Sequence, residues 1–350
     1  MIAGMQRMAG ICCLVTVACQ PAESVAPGAL GPPLTSPTSN GGASLADQAL
    51  VTFLGMCDAS GAVPLSEKVF LVADDEDNVL RAYDGTRGGG PLWSVELSAS
   101  IGIPSKKKGP PEADIEAATV ADGLAFWITS HGRNSSGKLK TERFRLFATT
   151  LASDAASLTV VGQPYEGLLG DVLNDPRFAP FALSAAARLP PKAEGGLNIE
   201  GMTRRREGGV WIGLRSPKPR GRALVFPLLN PRSLVLEGGA RAELGDPVLL
   251  DLGGMGVRAL SRVGNDYLLA AGHHDGTAGS RLYRWDGSGA PRLIRTDTPE
   301  GFNTEGFFSP QGGSRVLALS DDGARTLDGI ECKKVPNFDR KSFRGMWLKP

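Results

Sequence analysis

Three glutamates recur in similar short motifs, and they are the first candidates for chemistry in this sequence. Glu116, Glu200 and Glu305 each stand two residues after an Asp or Asn and directly before Ala or Gly. Oxygen-rich sets of Asp, Glu and Asn suit Ca²⁺, and carboxyl groups also serve as general acids and bases. We therefore treat these glutamates as candidate catalytic residues and candidate Ca²⁺ ligands, with Ca²⁺ as the candidate cofactor.

Two weaker copies of the motif replace the glutamate with other residues. One copy starts at Asp58, and the other carries Arg258 at the glutamate position. If the copies are structurally equivalent, Asp58, Arg258 and the three glutamates gather around one channel. Crowded carboxylates need a cation, an arginine or raised pKa values to coexist. Two interpretations stay open: a bound metal ion, or a network of ion pairs and hydrogen bonds that ties the units together.

A polar, basic loop at 130–134 supplies the second set of candidates. His131 is a candidate general acid or base, and the nearby arginines suit a phosphate or carboxylate group. The alternative is that these are solvated loop charges. The expected ligand-binding residues are Asp58, Asp114, Arg133, Asn134, Asn198, Arg215, Arg258 and Asn303.

These motifs open repeated units of short strands. Each motif precedes a turn and a second, apolar strand, and third and fourth strands follow in most units. Runs rich in β-formers and bounded by Gly, Asp, Asn and Pro, repeated in this way, are typical of propeller blades. We predict an all-β fold: one β-propeller domain at 45–350 with five, alternatively six, four-stranded blades. A small helical insertion is predicted at 165–189, capping one face.

The two ends of the predicted domain are expected to meet. The last unit lacks a clear fourth strand, and residues 49–54 have strand character, so they are predicted to form its outer strand. Cys57 and Cys332 would then lie close together. A disulfide and two buried free thiols are both consistent with this placement.

The N-terminus indicates export. An apolar run from Met8 to Ala18 suits a signal peptide, and Thr16-Val17-Ala18-Cys19 resembles a bacterial lipobox, although Leu is more usual than Thr16. We predict a signal peptide at 1–19, lipid attachment at Cys19, and a disordered tether at 20–44 rich in Pro, Gly, Ala and Ser. The expected location is the periplasm or cell surface of a bacterium, anchored to a membrane only by lipid. A plain cleaved signal is the alternative.

Composition excludes several classes of function. The 350 residues carry a net charge of only +1, which argues against nucleic-acid binding. The sequence contains no G-x-S-x-G elbow, Walker loop, dinucleotide fingerprint or H-E-x-x-H motif. A monomer is expected.

Several motifs in order resemble a known family. They are the stretches 127–134, 145–150, 197–201 and 221–225. Together they look like a bacterial family named only as a domain of unknown function, similar to the wider set of phytase-like and esterase-like exported propellers. The resemblance covers about residues 49–348 and implies a propeller in an extracytoplasmic setting, but no established reaction. One departure is Ala259, which follows Arg258 where an acidic residue is common.

Two functions remain in competition. One is a binding module for a small anionic ligand or a surface partner. The other is a Ca²⁺-dependent hydrolase of phosphate or other esters that acts in the central funnel.

Overall fold

Short antiparallel strands joined by tight turns make up most of the chain. The structure is a computed structural model. It describes residues 50–277, 279–296, 298–310 and 315–349. The predicted signal peptide, Cys19 and the tether lie outside the described residues.

The described residues contain five four-stranded antiparallel sheets. In four of these blades the strands follow chain order from the innermost strand outward. The first blade contains β2 (Ala59–Pro64), β3 (Val69–Asp74), β4 (Val79–Asp84) and β5 (Trp93–Glu96). The second contains β6 (Ile115–Ala121), β7 (Leu124–Thr129), β8 (Leu146–Thr149) and β9 (Val160–Tyr165). The third contains β10 (Asn198–Arg204), β11 (Val210–Ser216), β12 (Ala223–Leu228) and β13 (Val248–Leu250). The fourth contains β14 (Gly256–Val263), β15 (Asp266–Gly272), β16 (Arg281–Trp285) and β17 (Arg292–Arg295).

The fifth blade joins the two ends of the described chain. From the inside outward it contains β18 (Thr304–Phe308), β19 (Val316–Ser320), β22 (Ser342–Leu348) and β1 (Leu50–Leu54). Each innermost strand contacts the innermost strand of the next blade, and β18 contacts β2, so the ring is closed. The structure therefore confirms a propeller of five blades, with the N-terminal strand at the outer edge of the last one.

Burial of both faces explains why each blade forms. In β7, Phe126 and Ile128 enter the core between the second and third blades. Their neighbours Ala125 and Trp127 enter the core between the first and second blades. Side chains of a strand point alternately to opposite faces, so a continuous apolar run fits a sheet that is buried on both sides. Five such cores, one for each pair of neighbouring blades, hold the ring together.

Short helices fill the gap beside the second and third blades. They are α1 (Leu168–Asn174), α2 (Leu183–Ala186), α3 (Pro231–Leu236) and a 3₁₀ helix at Pro176–Phe181. Further 3₁₀ turns lie at Thr141–Arg143, Pro219–Gly221, Cys332–Lys334 and Phe338–Arg340. Apolar residues of α1 and α2 pack into the core between the second and third blades, so the helices support the blades. Helix α3 lies outside the predicted helical insertion at 165–189. Among the described residues, no helix is long and apolar enough to cross a membrane.

A disulfide fastens the ring near its closing point. It joins Cys57, just before β2, to Cys332, which follows a small hairpin of β20 (Thr326–Leu327) and β21 (Ile330–Glu331). Both cysteines are buried. Of the two arrangements that the sequence left open, the structure contains the disulfide. The disulfide also holds Asp58 and Lys333, the residues next to its two cysteines, at one mouth of the channel.

Candidate functional site in the central channel

A β-bulge at the same place in each innermost strand positions the repeated side chains. The pairing of the innermost strand with the second strand skips Glu116, Glu200, Arg258 and Glu305 in blades two to five. In the first blade the shift falls at Ser60 and Gly61. Bulges locally redirect side chains, and in this ring the redirected residues lie at the channel. Ser60 is therefore the counterpart of the glutamates, and Asp58, at which this copy of the motif starts, corresponds to Asp114.

The small residue after each bulge allows the innermost strands to approach each other. A Cβ atom at Gly306 would overlap the carbonyl oxygen of Ser60 in the next blade. A Cβ at Gly61 would lie 2.5 Å from the backbone carbonyl carbon of Ala117. The Glu-Gly and Glu-Ala pairs of the motif thus combine a channel-facing acid with the close backbone packing that a five-bladed ring requires.

Arg258, in the fourth blade, connects acids of the third and fifth blades. It is 1% exposed and forms ion pairs with Glu305 and, at 3.3 Å, with Glu200. Glu200 also accepts hydrogen bonds from Arg215 at 2.6 Å and from Asn198 at 2.5 Å. Glu200 and Glu305 were expected as metal ligands. The structure engages their carboxylates with arginines, which is the ion-pair alternative that the sequence left open.

These ion pairs lie between two cavities of the channel. The larger, which we call the acidic cavity, has a volume of about 600 Å³ and lies at the start of the innermost strands. The smaller, of about 330 Å³, lies further along them, and Glu200 and Glu305 line both. Among the described residues, eleven acidic and seven basic side chains line the acidic cavity. Its lining therefore contains more carboxylates than its own arginines and lysines can neutralise.

Glu116 is the member of the motif that no arginine engages. Its side chain is 7% exposed and lines the acidic cavity. Within the described ranges it makes no hydrogen bond or ion pair with another side chain. Single oxygen atoms of Asp75, Asp114 and Glu116 lie within 4.8 Å of one another. Asp114 is paired with Arg143 at 2.7 Å, and the Oδ1 atom of Asp75 is buried without a partner.

Burial and mutual repulsion raise the pKa values of these acids. Burial, followed by the charges of Glu200 and Asp114, holds the pKa of Glu116 well above its usual value. Burial and the charge of Asp58 do the same for the pKa of Asp75. The pKa of Asp58 rises to about 9 and that of Asp74 to about 7, chiefly through burial. The cluster thus favours an added positive charge, supplied by protons or by a metal cation.

We expect the chelator-treated protein to lose stability as the pH rises from about 4 to about 9. Asp58 and Asp74 bind protons more tightly in the folded state, because their folded pKa values exceed the ordinary value of 3.8. Their protonation therefore stabilises the fold at low pH, and this contribution is lost as the pH passes the folded values, at about 1.4 kcal/mol per unit of pKa difference. Urea unfolding in EDTA at a series of pH values measures it. Asp58→Asn should flatten the dependence, and an unchanged slope in that variant would contradict the assignment.

The polar loop after β7 lies outside the acidic cavity. His131 is buried with a φ of 53°, its Nδ1 atom is 2.8 Å from the Thr129 carbonyl oxygen, and burial lowers its pKa to about 4. Arg133 donates hydrogen bonds to the carbonyls of Ala187 and Gly137, and the side chain of Asn134 caps its own turn. None of the three lines the cavity. The expected acid–base role of His131 and the expected ligand-binding roles of Arg133 and Asn134 have no support in this geometry. Backbone groups engage Arg133, Asn134 and the Nδ1 atom of His131, and the Nε2 atom of His131 is buried without a partner in the described structure.

Other predicted residues do reach the cavity. The structure places there Asp58, Asp114, Asn198, Arg215, Arg258 and Asn303. Sequence reasoning missed Asp75, Glu112 and Lys192. One signal was available: an Asp-Asp pair stands at the end of β3 as Asp74-Asp75 and after β19 as Asp321-Asp322. Both pairs follow the second strand of a blade, which returns to the mouth where the innermost strand begins.

One family matches the middle of the chain. Residues 141–300 match a family described as "Protein of unknown function (DUF3616)". The match confirms the predicted resemblance to a propeller family of unknown function. No curated protein matches the sequence.

Solved structures with distant similarity cover most of the chain. The aldose sugar dehydrogenase of Streptomyces coelicolor, in its PQQ-bound form, is 12% identical, with 86% of this chain and 99% of that chain covered and a TM-score of 0.42. For Myxococcus xanthus glutaminyl cyclase the identity is 11%, the coverage 85% and 94%, and the TM-score 0.44. Bacillus subtilis arabinanase Arb43A is 9% identical, with 86% of this chain and 95% of that chain covered and a TM-score of 0.43. At these scores we draw no functional argument from them.

Proposed function

We propose that the acidic cavity binds Ca²⁺ or a similar divalent cation and, through it, a small anionic ligand. One observation carries the cation: the buried carboxylate of Glu116 has no partner in the described structure and lies within 4.8 Å of oxygens of Asp75 and Asp114. Two oxygens on opposite sides of a Ca²⁺ ion stand about 4.6–5.2 Å apart. A cation held there would offset the burial and mutual repulsion that raise the pKa values of Asp75 and Glu116.

Two basic residues that line the acidic cavity, Lys192 and Arg215, suit an anion. Arg215 is buried, and its Nη2 atom has no hydrogen-bond partner in the described structure, although Nη1 and Nε are engaged by Glu200 and His273. A Cβ atom built at Gly276 would lie 3.9 Å from this Nη2 and 3.8 Å from the Nζ of Lys192. Two nitrogen donors near one open backbone position can receive a phosphate or carboxylate whose other oxygens contact the cation.

We further propose that the domain works outside the cytoplasm. The lipobox-like motif and tether in the sequence support this setting, as does the disulfide between Cys57 and Cys332, since such bonds persist mainly in oxidising compartments. The chain would then act as an anchored module that captures a small anionic ligand.

Calorimetric titration of the full chain with Ca²⁺, after treatment with a chelator, tests the cation. We expect saturable binding that Glu116→Gln weakens by on the order of 100-fold, because it removes one full charge from the cluster. Glu142→Gln is the matched control: its carboxylate lies outside the cavity, 3.8 Å from two lysines, and should leave binding unchanged. Absence of binding to the wild type, or equal binding by Glu116→Gln, would exclude the assignment.

Inorganic phosphate added to the Ca²⁺-loaded protein tests the binding of the anion. Lys192→Gln should weaken phosphate binding about threefold to tenfold.

Hydrolysis of a phosphate or other ester is the second candidate function. It is favoured by Glu112, whose pKa burial and the neighbouring Asp114 raise to about 7, so that it can exchange a proton near neutral pH. Release of nitrophenol from p-nitrophenyl phosphate or acetate, dependent on Ca²⁺ and lost in both Glu112→Gln and Glu116→Gln, would support an enzyme. If the protein bound the anion but did not hydrolyse the ester, the interpretation as a binding module would remain.

A further inference from the structure

A second group of carboxylates adjoins the proposed cation site. Single oxygen atoms of Asp58, Asp74 and Asp75 lie within 4.8 Å of one another. Asp58 directly precedes β2, Asp74 ends β3, and Asp75 is the next residue. Asp75 therefore belongs to both groups, and its two carboxylate oxygens allow it to contribute to each.

Asp58 is the observation that points to a ligand in this second group. Its side chain is 5% exposed, faces Asp74 and Asp75, and forms no hydrogen bond or ion pair within the described part of the chain. A buried, unpaired carboxylate is costly, so this group favours either a proton or a bound cation. Lys333, whose charge acts on Asp58, and Arg81, whose charge acts on Asp74, both have other partners. Arg81 binds Asp77 through two nitrogens, and Lys333 binds Glu76 at 2.9 Å.

We propose that the acidic cavity holds a pair of divalent cations bridged by Asp75, one bound by Asp114 and Glu116 and the other by Asp58 and Asp74. This proposal rests on the proposed cation site and adds a second ion to it. Two adjacent cations can bind two oxygens of one phosphate or carboxylate group at once. The pair thus favours a ligand with several anionic oxygens over one with a single charge.

The rival explanation is that Lys333 serves as the second cation. Lys333 lines the acidic cavity, and its charge acts on Asp58. If the ammonium group of Lys333 paired with Asp58 instead of Glu76, it would neutralise a carboxylate of the second group without a metal. A variant at Lys333 therefore separates the two explanations.

The stoichiometry of Ca²⁺ binding to the full chain tests the pair. Calorimetry and metal analysis after gel filtration should give two Ca²⁺ ions per wild-type protein, one for Asp58→Asn, one for Glu116→Gln, and a loss of both high-affinity sites for Asp75→Asn. Lys333→Gln should retain two. Thermal unfolding in chelator shows that each variant is folded before its titration.

Three results would overturn the pair. One ion in the wild type with one in Asp58→Asn would leave the first site and exclude the second. One ion in the wild type that becomes two in Lys333→Gln would assign the second charge to the lysine. No bound Ca²⁺ in the wild type would exclude the proposed function itself. This result differs from one bound ion, which would exclude only the pair.

Discussion

Replacing Arg258 by methionine is expected to lower the free energy of unfolding by about 3–5 kcal/mol, the usual cost of breaking one side of a buried ion pair. The side chain of Arg258 is 1% exposed, and its guanidinium is the one partner described for the carboxylate of Glu305. Burial lowers the pKa of Arg258, and the carboxylates around it oppose that shift. Methionine keeps much of the side-chain volume, so the loss would report the uncompensated charge. Urea denaturation of the full chain measures it.

Two further variants decide whether charge is the cause. Adding Glu305→Gln to Arg258→Met removes the stranded carboxylate and should restore most of the lost stability. Arg284→Met removes a half-exposed arginine that pairs with Asp266 at the surface, and should cost less than about 1 kcal/mol. If Arg258→Met were no more destabilising than Arg284→Met, the ion pairs would not hold the blades together.

Removing the disulfide with Cys57→Ala and Cys332→Ala is expected to cost about 2–5 kcal/mol. The two cysteines are 275 residues apart in sequence, so the bond restricts nearly the whole unfolded domain. It also lies beside the joint where β1 completes the fifth blade. The unfolding midpoint in urea measures the loss, and faster amide exchange in β1 and β22 would locate it at the joint.

A reductant provides the comparison for this prediction. Dithiothreitol should lower the unfolding midpoint of the wild type to that of the double variant, and should leave the double variant itself unchanged. An unchanged wild type, with Cys57 and Cys332 both reactive to a thiol reagent in the unfolded, unreduced protein, would show that the bond does not form.

Much of the fold could be predicted because it is encoded locally. Turns at Gly, Asp and Asn separate apolar runs of strand length, and the motif recurs once in each blade. The last unit lacks a clear fourth strand, and the N-terminal strand at residues 50–54 lies before the first unit. Pairing the two avoids an open sheet edge, so ring closure could be predicted. The helical segment was recognised by its spacing, but its packing between two blades depended on the space that the blades leave.

The candidate site was predicted only in part. The sequence identified Glu116, Glu200 and Glu305 as channel residues because they repeat with the blades. It could not show that arginines engage two of them and leave Glu116 without such a partner. Arg215 pairs with Glu200 of its own blade, whereas Arg258 reaches Glu200 and Glu305 from the blade between them. Asp75 escaped notice because it lies after the second strand, outside the motif that opens each blade.

The sequence by itself determined the repeated four-stranded unit, the strand that closes the ring, and the type of residue that faces the channel, while the structure decided between five and six blades. These follow from period, composition and turn chemistry, which act over a few residues. Only the tertiary structure decided which carboxylates have a partner and which do not. Charge compensation depends on distances between side chains of separate blades, and in this ring the bulges set those distances: they bring Glu200 and Glu305 to Arg258, and Glu116 to Asp75.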